Sequence, residues 1–312
     1  MTVKPEHGKN ITTQSASTGR ADSLILGIDS ATPVASAALA DEKGLLGEIS
    51  LNVGLTHSEQ LLPMIDDLLR QCRRKAADIT AIGVSSGPGS FTGLRIGMAT
   101  AKALAQGLSA VSLRAGGERV EMIAVPTLEA MARQAAGKQL LVSPMLYARR
   151  EQIYTGLYRW RRPPGAGGYG GTSGGDENRG ARSVSSDPAR VNGGGQPQTP
   201  ARRGKKERLP AGMGGGGWVL ECLIPPEAAD PENWGARLDE TDESICLLGD
   251  GAAMYEEIWI RTLGEKAVIL PPLLGLCRGS FVALAAYQKL DEYGSHGNRD
   301  FYQTKPIYLR GL

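Results

Sequence analysis

Short apolar runs punctuated by turn residues set the first elements. LILGID (24–29) and VASAALA (34–40) read as strands across the tight turn SATP, and EISLNV (48–53) alternates polar and apolar positions as a half-exposed strand does. The period then lengthens. Thr56 followed by Glu59 forms a capping box, and Leu61, Ile65, Leu68, Leu69 and Cys72 recur at helical spacing, with Pro63 expected to bend the first turns. A strand at 79–85, a glycine-rich turn, a helix at about 92–108, a strand at 120–125 and a helix from Thr127 complete an order βββαβαβα.

After Gly137 the pattern returns. QLLVSPML (139–146), QIYTGLYRW (152–160) and WVLECLI (218–224) read as strands, ICLLG as a strand, GAAMYEEIWI as a helix, KAVIL as a strand and Leu276–Leu290 as a helix. Phe281, Leu284 and Ala285 share one face of that last helix, and Pro225–Ser244 is a poor helix candidate. Two tandem βββαβαβα halves in an α/β chain resemble the actin-like, sugar-kinase and heat-shock ATPase superfamily, in which a nucleotide lies between the halves. The division expected is a disordered tail at 1–22, an N-terminal half at 23–137 and a C-terminal half at 138–312.

Composition interrupts the second half. Residues 161–217 hold ten Lys/Arg against four Asp/Glu, 17 of the chain's 42 glycines, and of Val, Leu, Ile and Phe only Val184, Val191 and Leu209. So little apolar surface does not repay ordering, which predicts a disordered insertion. Its ARRGKKERLP run reads as a solvated linker in preference to a nucleic-acid patch, because Tyr169 is its one aromatic residue. The net charge of +2 less the local +6 leaves −4 elsewhere, so the folded part is mildly acidic. Four cysteines at 72, 222, 246 and 277 have no CxxC or zinc-like spacing, and no apolar run approaches the ~20 residues of a membrane span. These features predict a cytoplasmic protein away from membranes.

The turn SSGPGSFTGLRIG (85–97) leaves a strand and opens a helix, the geometry in which unpaired helical N–H groups hold phosphate. Three motifs fail there. A Walker A loop lacks its lysine before Lys102, Gly87, Gly89 and Gly93 give G-x-G-x-x-x-G where a dinucleotide site has G-x-G-x-x-G, and Ser90 lacks the flanking glycines of a nucleophile elbow. A row of small residues, Gly93, Gly97, Ala101 and Ala105, recurs every fourth position; its spacing fits equally packing on the chain's own sheet or against a partner's helix. The three histidines, His7, His57 and His296, are too few and too scattered for a metal cluster, and a His57–Ser90 dyad lacks a third orienting group. Asp29, in the first hairpin turn, is the residue that best suits magnesium-nucleotide.

The stretches LGIDSATPVASAAL, THSEQLLPMIDDLL, GVSSGPGSFTGLRIGMATAKALA and PIYLR together resemble the TsaB (YeaZ) family, strongly over residues 24–160 and patchily over 218–312. The resemblance implies a non-catalytic scaffold subunit of the machinery that forms N6-threonylcarbamoyladenosine beside the anticodon of tRNAs reading ANN codons. It implies pairing with the catalytic subunit TsaD, docking of the ATPase TsaE and contact with tRNA through that complex; because exposed partner surfaces commonly pair with themselves, a homodimer is expected in isolation. No cofactor of its own is implied, nucleotide being confined to the complex with TsaD and TsaE. Where TsaD carries a metal-binding H-x-x-x-H, this chain has His57 and Leu61. The implied contact lies on the helices at 57–73 and 92–107, with His57, Leu61, Ile65, Leu68, Gly93, Arg95, Gly97, Ala101 and Ala105 as its residues, and this tips the small-residue row toward a partner. Asp29, Gly87, Gly89 and Ser90 become remnants of a nucleotide cleft. Tyr147-Ala148-Arg149 departs from the family's Asp-Ala-Arg. The rival expectations are an active phosphotransferase using Asp29, a peptidase, or an RNA-binding subunit acting through the insertion.

Overall fold

Alternation along the central strands decides the layering. In the computed structural model, which describes residues 23–52, 57–138, 140–161, 207–208, 218–293 and 304–309, β1 (Ile25–Asp29) sends Leu26 and Ile28 to one face and Ile25, Gly27 and Asp29 to the other. It pairs antiparallel with β2 (Ala35–Asp41) and parallel with β4 (Ala81–Ser85), and β3 (Gly44–Leu51) and β5 (Glu121–Val125) close the sheet in the order β3-β2-β1-β4-β5. The second sheet repeats this order. Its strands β6 (Leu141–Tyr147), β7 (Ile153–Arg161), β8 (Glu207–Arg208), β9 (Val219–Ala229), β10 (Ile245–Leu248) and β11 (Ala267–Ile269) run β11-β10-β6-β7-β9-β8, so that β6 stands where β1 does.

Helices α1 (His57–Gln71) and α2 (Phe91–Arg114) cover the outer face of the first sheet, burying Leu61, Ile65, Leu68, Met98, Ala101 and Ala105 against Leu26, Ile28 and Val84. On the outer face of the second, α4 (Pro231–Asp239), α5 (Asp250–Met254) and α6 (Glu256–Leu263) bury Trp234, Leu238 and Trp259 against Leu141, Met145 and Leu247. Between the sheets lie α3 (Thr127–Ala132) and α7 (Gly279–Tyr293). They are exchanged: α3 packs on β6 and β7, with Trp160 Nε1 donating to Ala132 O at 2.9 Å, and α7 packs on β1, β2 and β4. The result is five layers with one shared core, which joins the two halves.

Glycine permits the exchange at one place. Gly27 and Gly83 are register partners on β1 and β4, and a Cβ on Gly27 would lie 2.6 Å from Ala283 N while one on Gly83 would lie 2.7 Å from Ala286 Cβ. The start of α7 is held from the same sheet, since Gly279 N donates to Ser36 Oγ and Ser280 N to Glu48 Oε1, satisfying orphan donors of its first turn.

Several expectations need correction. The poor helix candidate at 225–244 contains α4, whose N-cap Asp230 accepts from Asn233 N and whose first residue is Pro231. The insertion expected to be disordered from 161 contributes Arg161 to β7, and Glu207–Arg208 pair with Val219 and Leu220, because a sheet edge lends hydrogen bonds to residues that have no core of their own. The rest of it, with the tail at 1–22, lies outside the described residues. Helix α2 runs to Arg114 where the apolar pattern stops near 108, and the single helix expected around GAAMYEEIWI is two, α5 and α6.

Candidate functional site

The glycine turn joins β4 to α2 beside the end of β1. Gly87 (φ 108°) and Gly89 (φ 153°) take left-handed conformations that a side chain would strain, and Ser90 caps α2 by accepting from Gly93 N. Four of its donors, Gly93 N among them, are taken by the chain itself. Ser86 N donates to Val125 O, Gly87 N to Thr127 Oγ1, and Ser90 N to Ala31 O. The end of the chain crosses the turn as well: Ile307 N donates to Ser86 O at 2.6 Å, and Ile307 O occupies the space a Cβ on Gly87 would need.

The small-residue row is a correction. Gly93 and Gly97 face Ser30, whose backbone and side-chain oxygens a Cβ at either position would meet, and Ser30 Oγ donates to Gly93 O at 2.9 Å. Ala101, Ala105, Leu61, Ile65 and Leu68 are buried in the same outer core, so none of these side chains presents a surface to a partner. Helical spacing identifies a face but not what lies opposite it, and here the hairpin turn at Ser30 and the sheet lie opposite. Of the residues assigned to the contact, Arg95 is exposed, while His57 opens α1 with its side chain outside the described residues.

Asp29 is fully buried on the inner face at the end of β1. Its neighbour there is Cys277, whose thiol is pushed well above its usual range, first by burial and then by the charge of Asp29 and a hydrogen bond to it. The Cys277 loop fills the region between the strand ends. A Cβ on Gly275 would lie 2.5 Å from Gly249 N, Gln134 Nε2 donates to Leu276 O, and Leu270 N donates to Leu247 O. Across the gap, Tyr147 N donates to Asp250 Oδ1, so the segment departing from the family's pattern is fixed by a carboxylate from α5. Among the described residues no three His, Cys, Asp or Glu are grouped as a metal site would require.

The exposed side of α2 carries a cluster that spacing did not single out. Phe91 is 50% exposed, the Arg95 guanidinium lies 3.9 Å over its ring, and Arg95 Nε donates to Tyr308 Oη at 3.2 Å. The Tyr308 and Phe91 rings are 5.0 Å apart. The signal in the sequence was PIYLR, an aromatic and apolar motif recognised only as part of the family resemblance.

Comparison with known proteins bears on this region. Residues 51–162, which include α1 and α2, match the family model of TsaD, tRNA N6-adenosine threonylcarbamoyltransferase. The chain is 35% identical over 137 residues to the tRNA threonylcarbamoyladenosine biosynthesis protein TsaB of Bacillus subtilis, covering 44% of this chain and 56% of that one. It is 34% identical over 140 residues to TsaB of Escherichia coli, covering 43% of this chain and 54% of that one. These matches support the TsaB (YeaZ) family. YeaZ from Pseudomonas aeruginosa superposes with a TM-score of 0.59 at 20% identity, over 92% of this chain and all of that one, which shows a shared fold. Of the curated TsaB proteins, the matches span little more than half the length. No helix of the described residues is long and apolar enough to cross a membrane.

Proposed function

We propose that this chain is a TsaB-type subunit of the machinery that forms N6-threonylcarbamoyladenosine in tRNA, and that it acts by binding a TsaD-type catalytic subunit without catalysing the transfer itself. The observation that carries the reading is the self-sealed glycine turn beside an exposed helix start. Ser86 N, Gly87 N and Ser90 N are satisfied by Val125, Thr127 and Ala31, and Gly93 N by Ser90 Oγ, while Phe91 and Arg95 on α2 remain on the surface. Asp29, the residue best suited to magnesium, is fully buried beside Cys277 instead of lining an open cleft.

The contact surface in this reading is the exposed side of α1 and α2, not the buried row. Leu62 is 52% exposed on α1 and Phe91 50% on α2. The match of the TsaD family model to the span holding both helices supports a partner of like fold, since two similar helix pairs can pack about a pseudo-two-fold axis. The same surface offers a homodimer when the catalytic subunit is absent. A TsaE-type ATPase, with its nucleotide, joins at the junction of the two subunits, and tRNA is reached through the complex in the cytoplasm.

Co-purification with the TsaD of the same cell, followed by reconstitution of threonylcarbamoyl transfer to tRNA, tests the proposal. A stable complex is expected, with transfer that depends on TsaD. Transfer by this chain alone, or no complex at all, overturns the reading.

A further inference from the structure

The last described segment, residues 304–309, makes a set of contacts out of proportion to its length. Ile307 N bonds Ser86 O, Ile307 O closes over Gly87, and Tyr308 meets both Phe91 and Arg95, the latter 213 residues earlier in the chain. Ile307 and Tyr308 are each 44% exposed, so the segment lies across the surface without joining the core. Burial of its own side chains therefore does not explain its position. What it touches is the turn before α2 and the first helical turn.

The effect on Arg95 is specific. An exposed arginine has large rotamer freedom, which a binding partner must quench at an entropic cost. Here the guanidinium is held 3.9 Å over the Phe91 ring and its Nε is engaged by Tyr308 Oη, which leaves the terminal nitrogens as a fork of the kind that takes a carboxylate. We propose that residues 304–309 form a strap that completes the TsaD-facing surface, with Tyr308 as the positioning residue that presents Arg95 to a carboxylate of the TsaD-type subunit. This rests on the reading of α1 and α2 as the partner surface. The occupant is argued from the charge the fork requires and from the continuity of the segment with the exposed side of α2.

The test uses the full chain as wild type, Tyr308→Phe, Tyr308→Ala, Arg95→Ala and the double variant, each titrated calorimetrically into the TsaD of the same cell. Tyr308→Ala is expected to weaken binding by at least about tenfold, the loss of a hot-spot side chain, with the melting temperature unchanged. Tyr308→Phe keeps the ring and loses the acceptor, so it is expected to fall between. If Tyr308 acts through Arg95, the double variant binds no more weakly than Arg95→Ala; additive losses overturn the proposal. Wild-type affinity in Tyr308→Ala overturns it too, as does a change confined to self-association. A wild-type chain that does not bind TsaD refutes the functional reading instead, and the strap is then judged by hydrogen exchange. Faster exchange over residues 86–95 in a chain ending at Gln303 supports it, and unchanged exchange overturns it.

Discussion

Gly27 on β1 and Ala283 on α7 meet backbone to backbone, with room for hydrogen alone between them. That contact ties the last described helix to the first described strand, and the core that α7 shares with α3 joins the two sheets. Replacing Gly27 by alanine puts a methyl group against Gly279 O and Ala283 N, atoms that cannot rotate away. The expected cost lies at the upper end of the ~1–3 kcal/mol typical of overpacking. Chemical denaturation measures it, and a Gly27→Ala protein as stable as wild type would show that α7 does not seat there in solution.

The small-residue row makes a contrasting case. At Gly97 the obstacle is Ser30 Oγ, which can turn away only by giving up its bond to Gly93 O. Gly97→Leu is expected to lower monomer stability by about 1–3 kcal/mol. Affinity of the folded fraction for TsaD should stay within twofold or so, about 0.4 kcal/mol. Weakened binding with an unchanged melting curve would return the row to the partner surface.

These two cases mark what a sequence discloses. The order βββαβαβα was legible in the first half and, apart from α4, in the second, because each strand and helix carries its own period; Asp230-Pro231 was a readable helix start that the sparse apolar content after it obscured. Period says nothing about the opposing layer. That α7 packs on β1 rather than β6, that Cys277 lies beside Asp29, and that Tyr308 reaches Arg95 are contacts between distant segments that no local pattern encodes. That the glycine turn lacks the nucleotide motifs is a property of the sequence itself, whereas the partners of Ser86 N, Gly87 N and Ser90 N are visible only in the tertiary structure.

A buried cation joins the two exchanged helices. Arg133 Nη1 donates to Glu129 Oε1 at 3.0 Å, and its Nε and Nη2 both donate to Gln288 Oε1 on α7, with the Arg133 side chain wholly buried. Gln288→Leu removes that acceptor from a desolvated charge and should cost about 3 kcal/mol. Adding Arg133→Met removes the charge as well and should restore part of the loss. Urea melts of the single and double variants check this; a double variant less stable than Gln288→Leu contradicts it.

Alkaline stability follows from the thiols. Burial, and then the charge of Glu129, push the Cys222 thiol up to about 11 from its ordinary 9.0. The folded state therefore holds this proton where the unfolded state has released it. Its contribution is complete below pH 9 and is lost as pH rises toward 11. Cys222→Ala should flatten the decline of stability across that window, measured by melts at pH 8 to 11. An identical slope in the variant would place the alkaline sensitivity elsewhere.

The last expectation concerns nucleotide. For magnesium-ATP to reach Asp29, the loop carrying Gly275 and Cys277 would have to leave Gly249 and the end of β1. For phosphate to take Gly87 N and Ser90 N, Thr127 and Ala31 would have to release them. Each displacement breaks buried contacts that the nucleotide would have to replace. Thermal melts of the isolated chain with increasing magnesium-ATP should therefore show no stabilisation. A ligand present at 100 times its Kd would add about 2.7 kcal/mol, well within detection. Asp29→Asn serves as the control because it removes the charge and keeps the shape. A rise in melting temperature with wild type that vanishes in Asp29→Asn would establish a working cleft and remove the main support for a purely binding role.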